Sequence, residues 1–221
     1  MSARRPVHRI RDIPAPRENP SLIGPLFRWV FQWPYRVALS GLYRVGLKAW
    51  QLTALSLLAN VAVGALLLTG RRLLPGLLLL LAGMLDIFDG GVARLRGEES
   101  RKGALLDAAI DRVSDGIVFG SIFLAEMAVH GNEVTAAMAL AAMVVSLLVS
   151  HLRAEAEAAG LGMTEGTVQR LERYVGLILG LTIPGALLPV LVALTILGIV
   201  TTTQRLLTAG RALPSGSGQA R

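Results

Sequence analysis

The sequence predicts an all-α fold: a six-transmembrane-helix integral membrane bundle with an N-terminal interfacial amphipathic helix. Three observations carry this reading. First, the 221 residues are 53% hydrophobic and only 17% charged, against roughly a quarter charged in soluble globular proteins. Second, the apolar residues fall into long runs, and a bilayer core about 30 Å thick needs roughly 20 of them per helical crossing. Third, Phe27, Trp29, Phe31, Trp33, Tyr35 and Tyr43 crowd into one segment together with Arg28, Arg36 and Arg44. Aromatic rings and snorkelling cations belong together at the headgroup level.

The elements follow in order. Residues 1–20 hold Arg4, Arg5, Arg9, Arg11 and Arg17 among several prolines, and read as a basic irregular tail. No apolar segment follows closely enough to form a signal peptide. Residues 21–48 form the juxtamembrane region, where Pro25 and Pro34 are expected to interrupt any single long helix. One or two short interfacial helices are therefore predicted. A transmembrane domain over 49–208 contains candidate spans at 51–69, 73–92, 104–129, 134–155, 171–183 and 186–206. The fifth is short, and Pro184, Gly185 and Pro189 blur its join to the sixth. Residues 209–221 are expected to be a flexible tail, Gly/Ser-rich from Pro214 onward.

The net charge of +7 and the pI of about 10.9 fit nucleic acid, anionic lipid or membrane topology. The distribution of the basic residues favours topology. With the N-terminus in the cytoplasm and six crossings, both termini and most arginines lie on one side, and only Arg71 and Arg72 on the other. That accounts for most of the charge without nucleic acid, and no base-reading module is recognisable. The expected location is a multi-pass position in the cell membrane. Cysteine is absent, which excludes disulfides and thiolate chemistry.

The second span should be featureless, yet it ends Asp86-Ile87-Phe88-Asp89-Gly90-Gly91-Val92-Ala93-Arg94. The third begins Gly103-Ala104-Leu105-Leu106-Asp107-Ala108-Ala109-Ile110-Asp111. Three- and four-residue spacings put each Asp pair on one helical face. The short connection makes the two helices antiparallel neighbours, so the pairs can face each other near the cytoplasmic surface. Each carboxylate costs about 2.5–3.5 kcal/mol at the centre of a membrane helix, less near the interface. Four aimed at one point also repel. A hard divalent cation neutralises such a cluster, and Mg²⁺ is typically shared between carboxylates and substrate phosphates. His8, His130 and His151 all lie away from the acids in sequence, so a zinc-type site is not indicated. Gly90 and Gly91 leave backbone open to a bulky ligand, and Arg94 is suited to clamp a diphosphate.

The pattern Asp86-x2-Asp89-Gly90-x2-Ala93-Arg94-x8-Gly103-x3-Asp107-x3-Asp111 resembles the signature of the CDP-alcohol phosphotransferases. The resemblance implies transfer of a phosphoryl-alcohol unit from a CDP-linked donor, usually CDP-diacylglycerol, to a hydroxyl acceptor with release of CMP. It implies that Asp86, Asp89, Asp107 and Asp111 hold two divalent ions, Mg²⁺ or Mn²⁺. Asp111 would also deprotonate the acceptor hydroxyl. Gly90, Ala93, Arg94 and Gly103 would hold the CDP moiety. A homodimer embedded in membrane lipid is implied as well.

Further along, Arg153-Ala154-Glu155-Ala156-Glu157 precedes Gly166 and then Arg170-Leu171-Glu172-Arg173. This is similar to the branch of the family that uses inositol 1-phosphate. Arg153, Arg170 and Arg173 would bind the acceptor phosphate, bidentate contact being a strength of Arg. The chain departs from the family pattern in two places. Gln169 stands where Glu is common, and Ala49-Trp50 replaces a Pro-Asn pair ahead of Leu52-Thr53. Glycerol 3-phosphate remains the alternative acceptor. A divalent-cation carrier is the alternative class, although acids clustered at one end and no internal repeat fit a carrier less well. Asp115 is expected to pair with Arg112 or Ser114, and Glu126 and Glu133 to be solvated.

Overall fold

The computed structural model describes residues 24–160 and 170–212, together with Ile13. Among these residues the chain is all helix. The helices are α1 (Gly24–Val45), α2 (Ala49–Leu67), α3 (Leu73–Arg96), α4 (Arg101–Ala128), α5 (Glu133–Ala158), α6 (Arg170–Thr182) and α7 (Leu187–Ala212). Gly166, Gln169 and the extreme C-terminal tail lie outside the described residues.

The helix boundaries have local causes. The Ser100 hydroxyl caps α4 by accepting from the Gly103 N–H at 3.0 Å, and the Asn132 side chain accepts from the Thr135 N–H to cap α5. Gly97 ends α3 at φ 65°, a left-handed conformation that a Cβ would strain. Only four residues then separate α3 from α4, so the two run antiparallel.

Among the described residues, four helices are long and apolar enough to cross a membrane: Ala49–Leu67, Leu73–Arg96, Glu133–Ala158 and Leu187–Arg211. Large side chains such as Leu58, Leu77, Val134 and Ile196 are exposed on them, as a lipid-facing surface requires. The chain is a membrane protein. α4 carries charges throughout its first half, and α6 has 13 residues.

The packing places α2 against both α3 and α4, α6 against α3 and α7, and α5 against α4 and α7. α3 and α4 touch less than the short connection suggests: both pack extensively on α2 and on other helices, and they draw together where their acids meet. Val63, Leu79, Phe119, Ile122, Leu177 and Leu191 form the main core. A second cluster joins Tyr35 and Leu39 of α1 to Leu52, Phe88 and Val92, and Ile13 enters it from the N-terminal segment.

Two expectations are corrected. α1 is one helix of 22 residues running through Pro34. Pro25 sits in its first turn, where no N–H partner is lost. Pro34 removes one hydrogen bond, and burial of Tyr35 and Leu39 against α3 holds the helix together past it. Glu126 is not solvated. It is 2% exposed and receives two bonds from the Arg72 guanidinium at 2.6 and 2.9 Å. A buried carboxylate needs such a partner. Glu133 is exposed, as expected.

Candidate active site

One end of the bundle collects the chemistry-bearing residues: α2, α4 and α6 begin there, and α3, α5 and α7 finish there. The Arg72–Glu126 pair marks the opposite end, where α3 begins and α4 finishes.

Asp86 and Asp89 on α3 and Asp107 on α4 converge as their spacing predicts. One carboxylate oxygen from each lies within 4.8 Å of the others. Asp89 is buried, and the Thr53 hydroxyl at the start of α2 lies 2.7 Å from its Oδ2. Three helices therefore fix this oxygen set. Hard oxygens at this separation fit a divalent cation such as Mg²⁺ or Mn²⁺. Asp111 joins the group through Arg170: Nη1 of Arg170 contacts Asp86 Oδ2 and lies 2.8 Å from Asp111 Oδ1. α6 thus reaches across from α3 to α4.

The other motif residues line the same end. Arg94 Nη2 donates to the Tyr35 hydroxyl at 3.3 Å. Burial pushes that hydroxyl above the usual phenol range, with the Arg94 guanidinium opposing the shift. The Tyr35 ring also stacks on Phe88, centroids 5.6 Å apart. Gly90 faces open space apart from the Arg94 side chain. Gly91 does not open toward a ligand: a Cβ there would strike the Tyr35 hydroxyl and Leu39, so its role is close approach of α1. Ala93 is half-buried, and Gly103 is exposed at the α4 cap.

The three arginines predicted for an acceptor phosphate separate into two groups. Arg170 sits among the acids, as described. Arg173 is buried and bonds Asp115 Oδ2 at 2.8 Å. This corrects the expected partners of Asp115, because Arg112 turns the other way, onto the Ala108 and Ser150 carbonyls. Arg153 is exposed and pairs with Glu157 at 2.9 Å. Arg205, near the end of α7, is buried, donates to the Val149 carbonyl, and lies within electrostatic reach of Arg153 and Arg173. In the sequence Arg205 is one basic residue among several near the C-terminus, and Thr53 the remnant of a motif. A buried arginine at the end of a spanning helix is the signal for the first. For the second it is a hydroxyl one turn into α2, where it can meet α3.

The family model described as CDP-alcohol phosphatidyltransferase matches residues 47–207. The chain belongs to the CDP-alcohol phosphatidyltransferase family. The match spans α2 to α7, so the transferase fold includes every helix that contributes an acid or an arginine to the site. Among similar family members is a phosphatidylinositol phosphate synthase of Mycobacterium marinum. It is 34% identical over 177 residues, 76% of each chain. The Corynebacterium glutamicum phosphatidylinositol phosphate synthase is 35% identical, covering 73% of this chain and 77% of that one. An archaetidylinositol phosphate synthase of Methanothermobacter thermautotrophicus is 31% identical over 74% of this chain and 84% of that one. Among solved structures, Mycobacterium tuberculosis phosphatidylinositol phosphate synthase with CDP-DAG bound superposes with a TM-score of 0.75. It is 30% identical, and the match covers 83% of this chain and 97% of that one. A second structure of that enzyme is in complex with manganese and citrate, with a TM-score of 0.74.

Proposed function

We propose that this chain transfers the phosphatidyl group of CDP-diacylglycerol to the hydroxyl of inositol 1-phosphate, releasing CMP and forming phosphatidylinositol phosphate. The observation that carries the reading is the convergence of the Asp86, Asp89 and Asp107 oxygens beside buried arginines at one end of a membrane bundle. The names of the relatives support the choice of acceptor. In this reading Asp86, Asp89, Asp107 and Asp111 hold two divalent ions. Bound there, such ions supply charge neutralisation at the donor diphosphate and at the departing CMP. The chain's own residues do the rest. Arg94, steadied by Tyr35, grips the diphosphate, while Gly90, Ala93 and Gly103 leave room for the nucleotide. Arg153, Arg173 and Arg205 receive the acceptor phosphate. Asp111 takes the proton of the attacking hydroxyl. We further propose six crossings, with α4 and α6 as the remaining two, α1 lying in the cytoplasmic interface, both termini cytoplasmic, and a homodimeric assembly.

The test is CMP release from CDP-diacylglycerol by purified protein with a panel of acceptors: inositol 1-phosphate, glycerol 3-phosphate, inositol and serine. Turnover with inositol 1-phosphate and loss of all CMP release in EDTA are expected. Preference for glycerol 3-phosphate would overturn the acceptor assignment. Absence of CMP release with every acceptor would overturn the reaction.

Thr53 offers a finer check. Thr53→Val keeps the shape of the side chain and removes the hydroxyl beside Asp89. Loss of an outer partner of a metal ligand typically costs about 10–100-fold in affinity or activity. The Mg²⁺ concentration for half-maximal CMP release is expected to rise within that range. An unchanged Mg²⁺ requirement would show that the Thr53 bond does not orient Asp89.

A further inference from the structure

Arg170 stands apart from the acceptor arginines with which its sequence neighbourhood grouped it. Its Nη1 reaches an oxygen of Asp86 on α3 and, at 2.8 Å, an oxygen of Asp111 on α4. Behind it, the guanidinium carbon lies 5.1 Å from the centroid of the Tyr174 ring, one turn along the same helix. That ring is itself held. It lies against Gly83 of α3, and its hydroxyl donates to the buried Asn60 Oδ1 at 3.3 Å. Asn60 donates in turn to the Ser56 carbonyl at 2.9 Å. A chain of fixed groups thus runs from α2 through Tyr174 and presents one cation to two of the acids. Arg170 Nε is buried and has no hydrogen-bond partner among the described residues, so ring and acids, with no bond at Nε, define its position.

A guanidinium and a divalent ion repel, and each that draws on a carboxylate weakens the hold of the other on that group. We propose that Arg170 is a positioning residue that serves as a resident counter-cation, competing with divalent metal for Asp86 and Asp111. It holds the two acids in register across the gap between α3 and α4. It also lowers the affinity of the acids for metal until a nucleotide diphosphate adds its own negative oxygens. Metal loading is thereby coupled to arrival of the donor. This inference rests on the assignment of the acid cluster as the metal site.

The test is Mn²⁺ binding, measured by calorimetry on the purified full chain in detergent, first alone and then with CDP. Arg170→Gln is expected to bind Mn²⁺ more tightly than wild type without CDP, by about 5–150-fold, the usual span of coupling between linked sites. The gain in affinity on adding CDP should shrink in this variant. Arg170→Lys, which keeps the charge, should stay close to wild type. General damage to the site would weaken Mn²⁺ binding, so the direction separates the two causes. Equal or weaker binding by folded Arg170→Gln overturns the proposal. Should that variant fail to fold, Tyr174→Leu carries the test by removing the ring behind the guanidinium: tighter Mn²⁺ binding supports the proposal, and unchanged binding overturns it. An Asp89→Asn control distinguishes the underlying reading. Wild-type binding that Asp89→Asn abolishes and Arg170→Gln leaves unmoved sinks only the counter-cation. No Mn²⁺ binding by wild type or by folded Arg170→Gln, with or without CDP, sinks both.

Discussion

Asp111→Asn is expected to lower the turnover of CMP release by about 10²–10⁴-fold, the usual contribution of a positioned general base. The amide matches the carboxyl group in size, so packing around it should persist. It cannot accept a proton from the attacking hydroxyl, and it gives up the charge that faces Arg170 at 2.8 Å. Thermal stability in detergent should change little compared with the loss in rate. KM for CDP-diacylglycerol should also move less than kcat, because the proposed donor contacts are at Gly90, Ala93, Arg94 and Gly103. Turnover within threefold of wild type would remove Asp111 from the reaction.

Asp115→Asn should act mainly on stability. Asp115 and Arg173 have side chains only 4% and 6% exposed and meet at 2.8 Å. Removing one partner of a buried ion pair leaves an uncompensated charge, at a cost of about 3–5 kcal/mol. For a chain of this size the thermal midpoint should fall on the order of 10 °C. KM for inositol 1-phosphate is expected to rise as well, because Arg173 loses the anchor that aims it. Replacing both residues by Leu separates the two effects: much of the stability should return while the acceptor KM stays high. Recovery of both together would show that Arg173 only supports the fold.

The parts of this molecule legible in its sequence are those set by local periodicity. The acids of α3 and α4 could be paired from their spacing alone, because helical geometry fixes which residues share a face. The four spans of α2, α3, α5 and α7 could be drawn from apolar run length. What escaped depended on contacts between distant segments. Pro34 lies inside a continuous α1 because Tyr35 and Leu39 are buried on α3, and nothing within α1 announces that partner. Arg170 and Arg173 sit three residues apart, yet one turns to Asp86 and Asp111 and the other to Asp115. Their shared motif gives no hint of the division. Glu126 looked like a loop-side acid until Arg72 was found against it. In each case the deciding term is the cost of burying a polar group alone, and that cost is legible only once the burying surface is known.

The bond between Asp86 and Arg170 joins residues 84 positions apart. During synthesis the acids of α3 and α4 therefore leave the ribosome well before their counter-cation has been made. Clustering them toward helix ends lets water keep them company through that interval, which a mid-bilayer position would not allow. Docking of α6 then brings Arg170 against Asp86 and Asp111. A chain arrested before residue 170 would hold every acid of the signature without the guanidinium that faces Asp86 and Asp111.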